Sequence, residues 1–282
     1  MNILVTGSSG QIGHYIVRDL VEAGHEVLGV DLFPPLERLS PFLRVDLRDA
    51  GETYQAVAAA KAEAVIHMGA WADAGKVPDI RTYPENVQST FNVFQACADM
   101  GIRRIVSASS GQIYGLHQKP PAYVPLDEAH PLRPINVYAL SKMAGEQMAD
   151  YFVANHGLTI LSFRFTGVRS PDILAREVEE VREDAARGIS QLWMRTDARD
   201  AAAACRQAVE IREVDSGPYN IVGFPVLDET PDALLGRFFG DQIAVQGDLS
   251  SSRLISTRKA GAAFGYRPRY LWSVDEQRPK PE

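Results

Sequence analysis

Short apolar runs rich in Val and Ile alternate with longer stretches of helical periodicity through the first 165 residues. The runs 3–6, 26–31, 43–46, 64–67, 104–109 and 159–165 read as strands covered on both faces. Helical patterns lie between them at about 11–23, 50–61, 85–100 and 137–155. Within the third helix the spacing of Val87, Phe91, Phe94 and Ala98 marks a core stripe more readily than a functional one. Alternating strand and helix predict an α/β fold, a Rossmann-type doubly wound parallel sheet with right-handed crossovers. After Phe165 the rhythm loosens into a charged helix near 172–187, a strand at 191–194 and a helix over 199–209. A strand at 219–222, a helix near 228–239 and the segment 257–264 then complete a small C-terminal α/β lobe, and the Pro-rich end at 278–282 reads as a frayed tail.

Composition narrows the function. At 282 residues the chain can bury a large core, and its net charge of -7 weighs against nucleic acid or an anionic membrane as partner. The two cysteines, Cys97 and Cys205, fall in apolar helical stretches. They suggest no disulfide framework, and no Cys/His spacing suggests a metal. The chain starts directly in a strand pattern without a basic leader or long apolar run, so a cytoplasmic protein is expected.

The first chemical signal is the turn Thr6-Gly7-Ser8-Ser9-Gly10-Gln11-Ile12-Gly13, set between the first strand and the first helix. Gly7, Gly10 and Gly13 allow a tight turn, close backbone approach to a pyrophosphate and close helix–strand packing, with the phosphates at the helix N-terminus. Asp31, at the end of the second strand and 18 residues beyond Gly13, is placed to accept hydrogen bonds from an adenosine ribose. Leu32 and Phe33 follow it, with no arginine for a 2′-phosphate, so NAD is expected over NADP. Asp46 is placed either to reach the adenine amino group or to cap the next helix. The expected organisation is an NAD-binding domain over 1–165 with a return segment at 190–210, and a substrate lobe from 166–189 and 211–282.

The second signal is Tyr138-Ala139-Leu140-Ser141-Lys142, a phenol and an ammonium one helical turn apart. Lowering a phenol from a pKa of ~10 to neutrality takes about 4 kcal/mol. One positive charge at ~4 Å supplies roughly that at an effective dielectric near 20. Lys142, aided by an oxidised nicotinamide, would then make Tyr138 a general base. A serine at the strand end 107–110 would hold the substrate oxygen.

These motifs resemble the extended short-chain dehydrogenase/reductase family, the NAD-dependent epimerase/dehydratase family. The likeness is close over 1–165 and looser beyond. It extends to Val65-Ile66-His67-Met68-Gly69-Ala70, to Asn86, to Ser109-Ser110-Gly111-Gln112-Ile113-Tyr114-Gly115 and to Pro125-Leu126-Asp127-Glu128. The resemblance implies Ser110, Tyr138 and Lys142 as the catalytic trio. It implies cofactor contacts from Gln11, Ile12, Asp31, Asp46, Leu47, Met68, Gly69, Ala70, Asn86, Lys142 and Phe165.

Departures from the family pattern are informative. Gly111 and Gln112 stand where sugar-nucleotide dehydratases carry an acidic pair, so dehydration is not expected. Phe163-Arg164-Phe165-Thr166-Gly167 lacks the asparagine with which epimerases meet a nucleotide diphosphate. Only 32 residues separate Thr166 from Arg199, a shortened lobe resembling uronate and small-sugar dehydrogenases, although those carry Asn and His at Gly111 and Gln112. By position alone, Trp71, Asp73, Gln112, Thr166, Arg169 and Arg176 are substrate candidates. An arginine among them would suit a carboxylate or phosphate. The expected activity is NAD-dependent oxidation of a secondary or hemiacetal hydroxyl of a small sugar or polyhydroxy acid by a homodimer. The rivals are a UDP-sugar 4-epimerase with tightly bound NAD and a non-catalytic NAD sensor.

Overall fold

In the computed structural model, which describes residues 1–73, 75–247, 249 and 253–270, a seven-stranded sheet organises the chain. The elements run β1 (Asn2–Thr6), α1 (Gly13–Glu22), β2 (Glu26–Asp31), β3 (Phe42–Arg44), α2 (Ala50–Ala60), β4 (Ala64–His67), α3 (Asp79–Asp99) and β5 (Arg104–Ser110). The short β6 (Tyr123–Val124), α4 (Val137–His156), β7 (Thr159–Phe165), β8 (Val168–Arg169) and α5 (Pro171–Glu183) follow. The chain continues through β9 (Met194–Asp197), α6 (Ala198–Glu210), β10 (Gly217–Ile221), β11 (Phe224–Pro225), α7 (Pro231–Phe239), β12 (Ala244–Val245) and α8 (Arg258–Phe264).

The sheet order is β10-β7-β5-β4-β1-β2-β3, and every pairing in it is parallel. Strands buried on both faces explain the uninterrupted apolar runs: Ile3, Leu4, Val5, Ala64, Val65 and Ile66 are all at or near zero exposure. One face is covered by α1 and α6, which present Ile16, Leu20, Ala201 and Cys205. On the other face α2, α3 and α4 present Val57, Phe94, Cys97 and Phe152. The order reverses between β1 and β4, and that reversal opens a crevice at the carboxyl ends of the strands.

Two elements differ from the expectation. The third helix begins at Asp79 and runs through Pro84. Arg81 and Thr82 already close N–H bonds onto the Pro78 carbonyl, so a first turn exists before the proline. The strand expected at 191–194 starts only at Met194, because Leu192 (φ +49°) and Trp193 (φ +56°) are left-handed and cannot extend. The buried Trp193 indole donates to the Ala185 carbonyl at 2.7 Å. A second core gathers Leu174, Val178 and Val181 of α5, Trp193, and Leu234 and Leu235 of α7, beside the small sheet β11-β9-β8.

Among the described residues no helix is long and apolar enough to cross a membrane, and no cluster of metal-ligating side chains occurs.

Candidate active site

A cleft of about 620 Å³ lies along the crevice, and the glycine turn forms one end of it. Gly7 adopts φ +67°, and a Cβ there would stand 2.6 Å from the Gly69 amide nitrogen. Only glycine lets β1 and the β4 loop approach this closely. At the start of α1 the N-cap residue Ile12 makes no side-chain capping bond, so the first turn of the helix opens onto the cleft with its N–H dipoles unmasked by a side chain. Asp31 fixes the turn from below: its carboxylate accepts from the Ser9 amide at 3.1 Å and the Phe33 amide at 3.2 Å. A bare glycine backbone, an uncapped helix start and a carboxylate at the next strand end together fit a dinucleotide with a free ribose 2′-hydroxyl.

Deeper in the cleft, Ser110 closes β5 while Tyr138 and Lys142 project from the first turns of α4. The helix starts where it does because Asn136 Oδ1 accepts the Ala139 amide at 2.8 Å. Ser110 and the Tyr138 phenol line the cleft together, and Lys142 Nζ donates to the Ala108 carbonyl at 2.8 Å. In the protein alone burial dominates both groups. It pushes the Tyr138 phenol up to about 12 and the Lys142 ammonium down to about 8. The lowering of Tyr138 expected from Lys142 together with a nicotinamide is not present in the protein alone, where desolvation dominates and the ammonium sits 5.7 Å from the ring centre.

A hydrogen-bonded series holds the cleft floor. Thr90 Oγ1 donates to the Asn86 carbonyl (2.9 Å), and the buried His67 ring bridges Thr90 (3.2 Å) to Thr6 (2.8 Å). Thr6 Oγ1 in turn accepts the Gly69 amide at 3.1 Å. Burial, with Lys142 nearby, holds His67 down at about 3, so the ring stays neutral and the series keeps one polarity. Asn86 accepts the Trp71 amide at 2.8 Å and donates to Ser141 Oγ at 3.1 Å, tying the loop after β4 to α4.

The cleft brings together Gly7, Gly10, Gln11, Ile12, Gly13, Asp31, Asp46, Leu47, Met68, Gly69, Ala70, Asn86 and Phe165 with the trio Ser110, Tyr138 and Lys142. Trp71, Asp73, Gln112, Thr166 and Arg169 also line it. Arg176 does not: it stands on the outer face of α5 with its side chain 70% exposed, opposite the buried Leu174 and Val178. Asp46 is not the cap of α2, a role filled by Asp49 through the Glu52 amide. Arg48 instead clasps Asp46 and holds its carboxyl below the usual range.

Arg48, Lys76, His117, Ser190 and Gln191 also line the cleft and escaped the sequence reading. Arg48, Lys76 and His117 come from loops without periodicity, and Ser190 and Gln191 from the end of a short 3-10 turn at Ala185–Gln191. The segment Asp46-Leu47-Arg48 was the one local clue, since an arginine two residues from an acid can fold back on it.

Comparison with known proteins agrees with this architecture. The model of the NAD dependent epimerase/dehydratase family matches residues 3–221. The UDP-glucose 4-epimerase of Streptomyces lividans is 31% identical over 58% of the chain and 51% of its own length. The L-arabinose 1-dehydrogenase (NAD(P)(+)) of Haloferax volcanii is 27% identical over 76% of the chain and 84% of its own length. The chain thus spans about half the length of the curated epimerases it matches first. Among solved structures, a UDP-galactose 4-epimerase is 27% identical with a TM-score of 0.68, covering 95% of this chain and 93% of its own. A short-chain dehydrogenase/reductase superfamily protein from Agrobacterium tumefaciens, solved with bound NAD, shares the fold at a TM-score of 0.73 and 23% identity, covering 97% and 93%.

Proposed function

Because the chain belongs to the NAD-dependent epimerase/dehydratase family, we propose that it oxidises a secondary or hemiacetal hydroxyl of a small sugar or polyhydroxy acid, using NAD. The observation that carries this reading is the meeting of Ser110, Tyr138 and the buried Lys142 in one cleft with the glycine turn and Asp31. The glycine turn, the start of α1 and Asp31 would hold NAD, which when bound supplies the hydride acceptor and a positive charge. Ser110 orients the substrate oxygen and Tyr138 takes its proton. Lys142 favours the phenolate and anchors the ribose.

Two features support oxidation over the other chemistries of the family. A Cβ on Gly111 would overlap Thr166 Oγ1, so the acid that a dehydratase needs has no room at that position. The dehydrogenase relative is matched over most of its length, whereas the epimerases are matched over about half. The epimerase reading draws on the identity to those enzymes over their first half. A screen of sugars, uronates and sugar nucleotides separates the two: net NADH means oxidation, and isomer conversion without NADH means epimerisation.

NAD is expected to bind at least about tenfold more tightly than NADP, because a 2′-phosphate would face the Asp31 carboxylate. Titration of both cofactors checks this, and equal affinity refutes it. Asp31→Ser combined with Leu32→Arg should relax the preference.

A homodimer joined through α3 and α4 is also expected. Leu140, Ala144, Met148, Tyr151 and Phe152 give α4 an apolar stripe, of which Phe152 points into the core while Leu140 and Tyr151 are exposed, as is Phe91 on α3. Tyr151→Asp should shift light scattering toward the monomer mass, and a wild-type monomer at micromolar concentration rules the dimer out.

A further inference from the structure

The loop after β4 carries a carboxylate into the substrate end of the cleft. Asp73 lines it together with Ser110, Gln112 and Tyr138. Its backbone has φ +112°, a conformation that glycine adopts freely and an aspartate does not. Three hydrogen bonds fix the polarity of its surroundings. The Ala139 amide donates to Asn136 Oδ1 (2.8 Å), which makes Asn136 Nδ2 the donor to Gln112 Oε1 (3.0 Å). The Gln112 amide nitrogen is then left to donate to Asp73 Oδ1 at 3.1 Å. The Gln112 backbone N–H donates to Ser110 Oγ at 3.2 Å. The series therefore runs from the cap of the helix bearing Tyr138, past Ser110, to a group that accepts hydrogen bonds and cannot donate them when ionised.

We propose that Asp73 is a specificity-determining residue that selects a neutral polyhydroxylated sugar over the corresponding uronate or sugar phosphate; this rests on the dehydrogenase reading above. Sugar hydroxyls donate to its carboxylate. A substrate carboxylate or phosphate at the same place meets a like charge, which at ~4 Å and with the screening of an exposed rim costs roughly tenfold to a hundredfold in affinity. Five other cleft groups can carry positive charge: Arg48, which is paired with Asp46 and Glu85, Lys142 one turn from Tyr138, and Arg169, Lys76 and His117. Arg169 is bound on the lobe side to Glu177 at 2.6 Å, a carboxylate it shares with Arg195. Asp73 is the one tied through Gln112 to the reacting centre, and its charge adds to burial in raising the Tyr138 phenol.

The test compares galactose with galacturonate, and glucose with glucuronate, on wild type, Asp73→Asn and Asp73→Gly. NADH formation gives kcat and KM, and calorimetric titration of each sugar into NADH-saturated protein gives affinity independently of turnover. Glycine suits the backbone at this position, so the second variant cannot fail through strain. Wild type should prefer the neutral sugar. Both variants should compress the neutral-to-acid ratio at least tenfold, through KM and calorimetric affinity, and shift the ascending limb of the kcat/KM profile to lower pH. An unchanged ratio, or a wild-type preference for uronates, overturns the selection by Asp73 while leaving the dehydrogenase reading intact. NAD binding without oxidation of any sugar overturns both.

Discussion

Tyr138→Phe is expected to lower turnover by roughly two to four orders of magnitude while leaving NAD affinity within a few-fold. The substitution removes one oxygen and keeps the ring, which is buried at 8% exposure against the start of α4. What is lost is the acid–base group that shares the cleft with Ser110. Stopped-flow or steady-state NADH formation and a cofactor titration on the same preparation check both halves. Near-normal turnover would remove Tyr138 from the mechanism. Because burial pushes the phenol up to about 12 in the protein alone, wild-type activity should rise with pH. Its midpoint should lie well below that value once cofactor is bound, since the added positive charge favours the phenolate.

Lys142→Met is expected to lower turnover by at least roughly a hundredfold and to weaken NAD binding, yet to leave the fold as stable as before or more so. The ammonium is buried, with the Ala108 carbonyl as its hydrogen-bond acceptor. Its depression to about 8 corresponds to about 3 kcal/mol of unfavourable burial at neutral pH. Methionine removes that cost but leaves the Ala108 carbonyl without its donor, which returns about 1–3 kcal/mol. The pH dependence carries the sign. Between about 8 and the ordinary lysine range the unfolded chain binds the proton that the native state has lost, so wild-type stability from this group rises with pH across that window. Below about 8 both states are charged and the contribution is flat. Denaturant melts of both proteins across this range should show the slope in wild type and its loss in the variant. A variant less stable by several kcal/mol would mean that the ammonium is compensated in the fold after all.

The sequence alone determined the parts whose meaning is local. Continuous apolar runs forecast a parallel sheet because strands buried on both faces can carry no polar alternation, and β1, β2, β4, β5 and β7 lie within a residue or two of the forecast positions. Gly7, Asp31, Tyr138 and Lys142 were legible because a βα turn, a strand end and an i, i+4 pair are each specified by a few neighbouring residues.

Tertiary structure decided what depends on side chains meeting from distant segments. Arg176 was placed with the substrate residues by position, but the phase of α5, set by Leu174, Val178 and Val181, turns it to solvent. Leu192 and Trp193 looked extended until the second core fixed the indole and turned both residues left-handed. The phenol of Tyr138 needed its burial to be known, because desolvation acts on it more strongly than the lysine four residues away. The link from Asn136 through Gln112 to Asp73 joins three segments that share no periodicity. Hydrogen-bond polarity there is assigned by partners across the cleft, so only the folded chain could reveal it.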